Sequence, residues 1–539
     1  MKNSKSTKRA LLTSALAILA CVAMLIGTTF AWFTDTASTA VNKIVSGNLD
    51  VDIVGTDGKS LDGKSLSFKD VNNNTDILWE PGATFKLDSF KIVNKGNLAL
   101  KYKVIISGVN GTAKLLEAID FTVNGTALAD WDGILLPEGK TATEGTREEV
   151  KETSEITISG TMKKEAGNEY QGLSIDGIGI TVVASQYTYE NDSFGNTYDA
   201  NADENTLFYT LAEFNALTTD IPADKTVYVN LNGASLEGGL TIGNANIADH
   251  YAYTDWNSDV APAGYPHKTN IDNITTHDGD KVRYIYSTGK PAADIILIGS
   301  VTGAKDTGDF NAGSITLKVP DAANVVFDKV TFGAGQMAMS MWTESHVQSM
   351  TVAHRIASVT FDGCTFNGNW IQNGAFGADK MVVKNCTFNV HNNAVNPNNS
   401  NPIWIQNLGQ CNVTIEGCTV NAVRPIKLWE QGAQGTVTIR NNKFVMSNIA
   451  GATGSDAYKN VAVMFCGTTE QVKLGNVEIT GNTVTGDATG FICFYNNISQ
   501  YPSMADGATF KLSGNTLNGV KESVIWKTAD EWKPDYVNK

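Results

Sequence analysis

Histidine is scarce and confined: all six (His250, His267, His277, His346, His354, His391) lie beyond residue 245, and no H-E-x-x-H occurs. A zinc peptidase needs His and carboxylate ligands around an open position, so the first half of the chain excludes one unless carboxylates alone could hold the metal. Cysteine is sparse too. Between Cys21 and Cys364 there is none, and no C-x-x-C pair occurs, which speaks against a thiolate metal cluster. No twelve-residue EF-hand loop is present. Charged residues make up only 18 %, and basic ones are the minority, giving a formal net charge of −15. That balance argues against nucleic acid as a partner. Past residue 29 there is no apolar run long enough for a membrane span, and few segments show helical periodicity, which excludes a helical bundle.

What is present begins with Lys2, Lys5, Lys8 and Arg9, followed by an apolar and small-residue run from Ala10 to Thr29 and Ala31 in an A-x-A-like place. This is the layout of a secretory signal peptide, residues 1–32. About 20 such residues could also stay as an anchor. The Ala, Gly and Thr content, and the polar stretch from Asp35, favour cleavage by signal peptidase. Secretion or display at the cell surface is therefore expected. Without the leader's four basic residues the charge becomes −19. Such a surface keeps the chain soluble, and its carboxylates can collect calcium, the one cofactor left open.

The 539 residues exceed one ordinary core. Val, Ile, Thr, Asn and 50 Gly in short runs indicate an all-β chain. From Asn48 to Gln186, alternating strands (Leu49–Ile53, Phe85–Val93, Leu100–Ile106, Ile156–Ile158, Ile178–Val183) are broken by turn residues, with a charged loop over Gly139–Thr153. They define an antiparallel β-sandwich, residues 33–190. Residues 191–204 are polar and form a linker. A short helix over Thr210–Leu217, with Leu211, Phe214 and Leu217 on one face, then precedes a strand at Val227–Leu231 and suits a capped solenoid.

A degenerate repeat follows. Its copies are Val326–Phe332, Thr360–Phe366, Val382–Phe388, Thr414–Val420, Thr438–Phe444, Glu478–Val484 and Lys511–Leu517. Each reads as strand, tight turn at Gly or Asn, and second strand. Fifth positions recur after 34, 22, 32, 24, 40 and 33 residues. Coils of that length fit a right-handed parallel β-helix over residues 205–530, with a tail at 531–539; a propeller needs steadier spacing.

Two resemblances stand on these residues. Gly27-Thr28-Thr29-Phe30-Ala31-Trp32-Phe33-Thr34-Asp35, Ser46–Val51, Glu80–Ala83, Phe90–Leu100, Asn168–Gly172 and Val182–Gln186 make the first third similar to the TasA/camelysin family of exported proteins. That resemblance implies a jelly-roll-like sandwich, cleavage just before Phe33 by a dedicated signal peptidase, a biofilm-matrix or surface role, and self-assembly through this domain. The metallopeptidase activity described for some members is not expected here, for want of histidines. The repeat resembles pectate-lyase-like β-helix proteins, which marks architecture and not activity.

Position five of the repeat holds Cys364, Cys386, Cys418, Asn442, Asn482 and Asn515. Equivalent positions in a parallel coil stack about 4.8 Å apart. Asn can then hydrogen-bond rung to rung and satisfy the turn, while Cys fills the slot as a small buried hydrophobe. Disulfides between neighbours are the alternative. A second strand per coil contains Trp370-Ile371-Gln372-Asn373, Trp404-Ile405-Gln406-Asn407 and Arg424–Glu430. With the aliphatic residues inward, alternation sends Trp370, Gln372, Trp404, Gln406, Lys427 and Trp429 outward. Indole faces beside amides form a sugar-stacking platform; the other reading packs these Trp under loops. If the chain is an enzyme, a polysaccharide lyase or glycoside hydrolase, its acid and base come from Arg424, Lys427 and Glu430, with Asp306, Asp309, His346, His354 and Arg355 as further candidates. Clustered charges in one groove would mark the enzyme. Aromatics and amides without such a cluster would mark a binder of extracellular polysaccharide or matrix proteins, the leading expectation.

Overall fold

The computed structural model describes residues 49–521 except 62–63, 65, 76, 108–113, 129–131, 136–151, 154, 174–178, 188–205, 249–250, 269–273, 276–281, 304–314, 321, 334–337, 343–355, 368–369, 374–377, 390–401, 407–411, 430–434, 448–460, 468–472, 489 and 497–502. The leader, the linker, most of the charged loop and the C-terminal tail lie outside the described residues. No helix among the described residues is long and apolar enough to cross a membrane.

The chain is all-β. Its first part holds three antiparallel sheets: Val51–Gly55 with Phe90–Asn94; Thr84–Lys86, Ile158–Met162, Ile119–Val123 and Thr126–Ala127; and Asp132–Leu135, Leu100–Ser107 and Gly179–Gln186. Alternation buries Phe90, Ile92, Leu100, Tyr102, Val104, Ile106 and Ile158 in one core between them. The alternating run Phe85–Val93 reads as one strand but is two. It turns a corner at Leu87-Asp88-Ser89, so that Thr84–Lys86 and Phe90–Asn94 join different sheets. Leu87 is buried before the bend and Phe90 after it, three residues apart, so the period of two shifts by one residue across the corner.

The second part is a parallel β-helix with three walls. The first wall has ten strands (Thr206–Thr210, Thr226–Asn230, Asp294–Ile298, Asn324–Asp328, Ile356–Asp362, Ala378–Lys384, Asn412–Glu416, Val437–Arg440, Val477–Thr480, Phe510–Ser513). The second wall runs from Ala234–Ser235 to Thr516–Leu517, where Val520–Lys521 folds back antiparallel. The third runs from Leu240–Gly243 to Gly490–Asn496. Each repeat copy is a first-wall strand, a turn and a second-wall strand. The turn needs a left-handed backbone, and it is met by Lys329, Gly363, Asn385, Gly417, Asn441, Gly481 and Gly514 at φ 52–71°. Glycine costs nothing there, and Asn is the usual second choice.

Register is kept although coil length is not. Phe327, Phe361, Val383, Ile415, Ile439, Ile479 and Leu512 lie opposite one another along the first wall. Phe332, Phe366 and Phe388 stack along the second, at 4.6 and 4.4 Å with rings within 6° of parallel.

The expected helix is present as Leu211–Asn215, and a strand, Thr206–Thr210, precedes it. Thr210 caps it in a reciprocal box with Glu213, which satisfies two of the free N–H groups of the first turn. Phe214 drops into the end of the core, fully buried. An inserted antiparallel sheet (Tyr251–Tyr253, Ile285–Ser287, His267–Lys268) occupies the long connection before the third first-wall strand.

Candidate functional site

The corner between the first and second walls carries the best-defined polar structure. The amide of Asn442 donates through Nδ2 to Asn482 Oδ1 (2.9 Å) and to Ile415 O (2.9 Å). Asn482 repeats this toward Asn515 Oδ1 (2.8 Å) and Ile439 O (2.9 Å), and Asn515 donates to Ile479 O. Backbone N–H groups of Cys418, Asn442 and Asn482 donate to the amide oxygen of the next rung.

The thiols use the same geometry. Sγ of Cys364, Cys386 and Cys418 points at Phe327 O, Phe361 O and Val383 O, the equivalent carbonyls of the preceding coils. Cysteine is thus more than a small hydrophobe in this slot, since it makes the asparagine's bond with a weaker donor. All three thiols are free and buried. Burial pushes the Cys386 thiol up; the bond to Cys386, and then burial, push Cys418 up. Both are held as inert thiols.

The third wall holds the expected platform residues. Trp370, Gln372, Gln406 and Trp429 lie on its strands, with side chains outside the described residues, as is Glu430 entirely. Asp306, Asp309, His346, His354 and Arg355 also lie outside the described residues. Trp404 corrects the expectation: it is 6 % exposed, not open to solvent. The ammonium of Lys427 sits 3.8 Å from its ring centroid, a cation–π contact. Alternation gives direction away from the core but not exposure, and Met464 and Cys493 on the same outward row are also buried. Arg424 is 3 % exposed at the corner before Ile426–Trp429, inside the fold instead of in an open groove.

The open polar surface is the outer face of the first wall. Successive outward positions hold Asp328, Asp362, Lys384, Glu416 and Arg440. Lys384 pairs with Asp362 (2.8 Å), Arg440 with Glu416 (2.7 Å) and Lys511 with Glu478 (3.1 Å). Another row is Asp294, Asn324 and Ser358, hydrogen-bonded in series. Thr436 and Thr509 bond Asn412 and Asn476 in the same way. Such exposed pairs add at most about 1 kcal/mol each. Among the described residues no group of three or more His, Cys, Asp or Glu could hold a metal ion.

Asp328 differs from its neighbours. Burial pushes its carboxyl up; the ammonium of Lys329 opposes this, the charge of Asp362 adds to it, and Lys384 opposes it again. The unfolded chain releases this proton near the ordinary value of 3.8, whereas the folded chain holds it to higher pH. Stability therefore falls as pH rises through that window. Asp328→Asn is expected to raise the melting temperature at pH 7 by about 1–3 °C, with the gain vanishing below pH 3.8. Paired thermal melts at the two pH values check this, and an equal shift at both would exclude a titration effect.

A family model described as the right-handed β-helix region matches residues 309–466, which gives the walls their hand. No curated protein matches the chain. Among solved structures, the catalytic unit of a thermostable GH87 α-1,3-glucanase from Streptomyces thermodiastaticus strain HF3-3 aligns at 10 % identity over 91 % of this chain and 100 % of that one. Its TM-score of 0.17 carries no argument about function.

Proposed function

We propose that the chain is an exported cell-surface or matrix protein whose β-helix binds extracellular glycans without cleaving them, while the N-terminal sandwich anchors or assembles it. The signal-peptide layout of residues 1–32 and the resemblance of the first third to the TasA/camelysin family support the location. The observation that carries the binding reading is the outer face of the first wall. Its amides, hydroxyls and ion pairs run parallel to the solenoid axis, and the carboxylates of Asp362, Glu416 and Glu478 each face a cationic partner one coil away. Glycoside hydrolysis needs two carboxyls converging on one bond at a defined separation; a regular row suits an extended polymer.

The test uses the chain from residue 33 onward, mixed with insoluble glucans, chitin, peptidoglycan and pectin, with and without calcium. Co-sedimentation with at least one polymer and no reducing or unsaturated product is expected. Product above background, lost in Lys427→Ala, would replace this reading by a carbohydrate-active enzyme.

A further inference from the structure

The sandwich and the first coils of the β-helix enclose a cleft of about 780 Å³. Its rear is closed by packing: Ile105 and Val183 of the sandwich lie against Ile298, Tyr228 and Ile296 on the outer face of the first wall. The side chain of Asn232 also donates from Nδ2 to Ile106 O across the junction. The cleft is thus preformed, and its volume falls within the range of small-molecule sites, which favour such junctions.

Two features give it a chemistry. Phe208 and Tyr228, on adjacent first-wall strands, stack at 5.3 Å and 16°. Thr206–Thr210 is the first strand of that wall, so the aromatic stack ends at Phe208, which is 36 % exposed and lines the cleft. A flat apolar ring face could continue the stack there. The charged groups lining the cleft are of both signs: Lys103, Asp120 and Glu213. Glu213 is held ionised by the N–H and hydroxyl of Thr210, which pull its carboxyl below the usual range against a small burial effect, with Lys103 adding to the pull. Burial, and then the charge of Asp328, keep Tyr228 a neutral phenol. One ammonium beside two carboxylates leaves a net −1 along the lining, which disfavours an anionic ligand, and hydroxyls can both donate to the carboxylates and accept from the ammonium. A neutral pyranose, apolar on its face and hydroxylated at its edge, meets both conditions.

We infer that this cleft is a second saccharide site, taking a neutral pyranose residue, such as the end of a glycan chain, on the open face of Phe208. The inference rests on the glycan-binding reading above. It is tested on the chain from residue 33 onward by saturation-transfer NMR and calorimetry with neutral gluco-, manno- and galacto-oligosaccharides. Phe208→Ala is compared with Lys59→Ala, at an exposed turn of the sandwich that lines neither the cleft nor the first wall, and Phe208→Leu and thermal melts control for folding. At least a tenfold loss of oligosaccharide affinity in Phe208→Ala, with Lys59→Ala unchanged, is expected. Unchanged affinity in Phe208→Ala would overturn the cleft site and leave polymer retention standing. Polymer retention by the parent chain without oligosaccharide binding would also overturn the cleft alone. Absence of both would remove it together with the broader reading.

Discussion

Asn482→Ala is expected to lower the stability of the β-helix by about 3–5 kcal/mol, as read from urea midpoints. The side chain is fully buried at the middle of the ladder. Its oxygen accepts from the N–H and Nδ2 of Asn442, and its own Nδ2 donates to Ile439 O and Asn515 Oδ1. Truncation strips the Asn442 N–H and the Ile439 carbonyl of this partner and takes one of two bonds from Asn442 Nδ2 and Asn515 Oδ1, which keep Ile415 O and the N–H of residue 482. Each buried group left unmet costs about 1–3 kcal/mol. Two further substitutions separate hydrogen bonding from volume. Valine occupies the equivalent slot at Val330, so Asn482→Val keeps bulk while losing every bond, and it should be nearly as damaging as alanine. Asn482→Cys restores a donor toward Ile439 O, as the three native thiols do toward their carbonyls, and should fall between. A valine variant as stable as the parent would mean that the slot needs only to be filled.

The second large effect is expected at Phe366→Ala, at the upper end of about 3–5 kcal/mol. Phe366 is fully buried between Phe332 and Phe388, parallel to both, and meets Phe361 at 5.7 Å and 60°. Beyond burial, each stacked pair adds about 0.5–1.5 kcal/mol. Phe444 is the comparison, because its neighbours in register are Val420 and Val484. Phe444→Ala removes the same volume but no stack, and should cost about 1–2 kcal/mol less. Equal losses at the two positions would show that the rings contribute through area alone. Since each coil touches chiefly its neighbours, hydrogen exchange should report both losses first in the coils beside the substitution.

The later coils were legible in the sequence because turn chemistry holds the spacing within a copy constant while loops absorb the variation between copies. The earlier coils hid for a physical reason. From Leu297 to Val301 the corner spans four residues, where Phe327 to Phe332 spans five. From Val229 to Ala234 it spans five but places its left-handed residue late, at Gly233, so neither corner shares the motif. Asn232 nevertheless does a ladder's work there, accepting from the N–H and hydroxyl of Ser300. The period of two showed which way the Trp404 side chain points but not that it would be covered. The corner at Leu87 was hidden because the one-residue shift from Leu87 to Phe90 falls on two polar residues, Asp88 and Ser89, inside a run that otherwise alternates. The cleft leaves no local trace, because Lys103, Asp120 and Phe208 are brought together only by the packing of the two parts.

The hydrogen bonds of all three walls run along the solenoid axis, from one coil to the next. A pull on the chain beyond the last coil therefore loads them one after another, as a zipper is opened, and not all together in shear. With repeat positions 22–40 residues apart, each coil that peels away releases roughly 70–140 Å of extended chain. A protein tethered at one end and attached to a polymer at the other would then lengthen in steps under load, and could rewind when the tension falls.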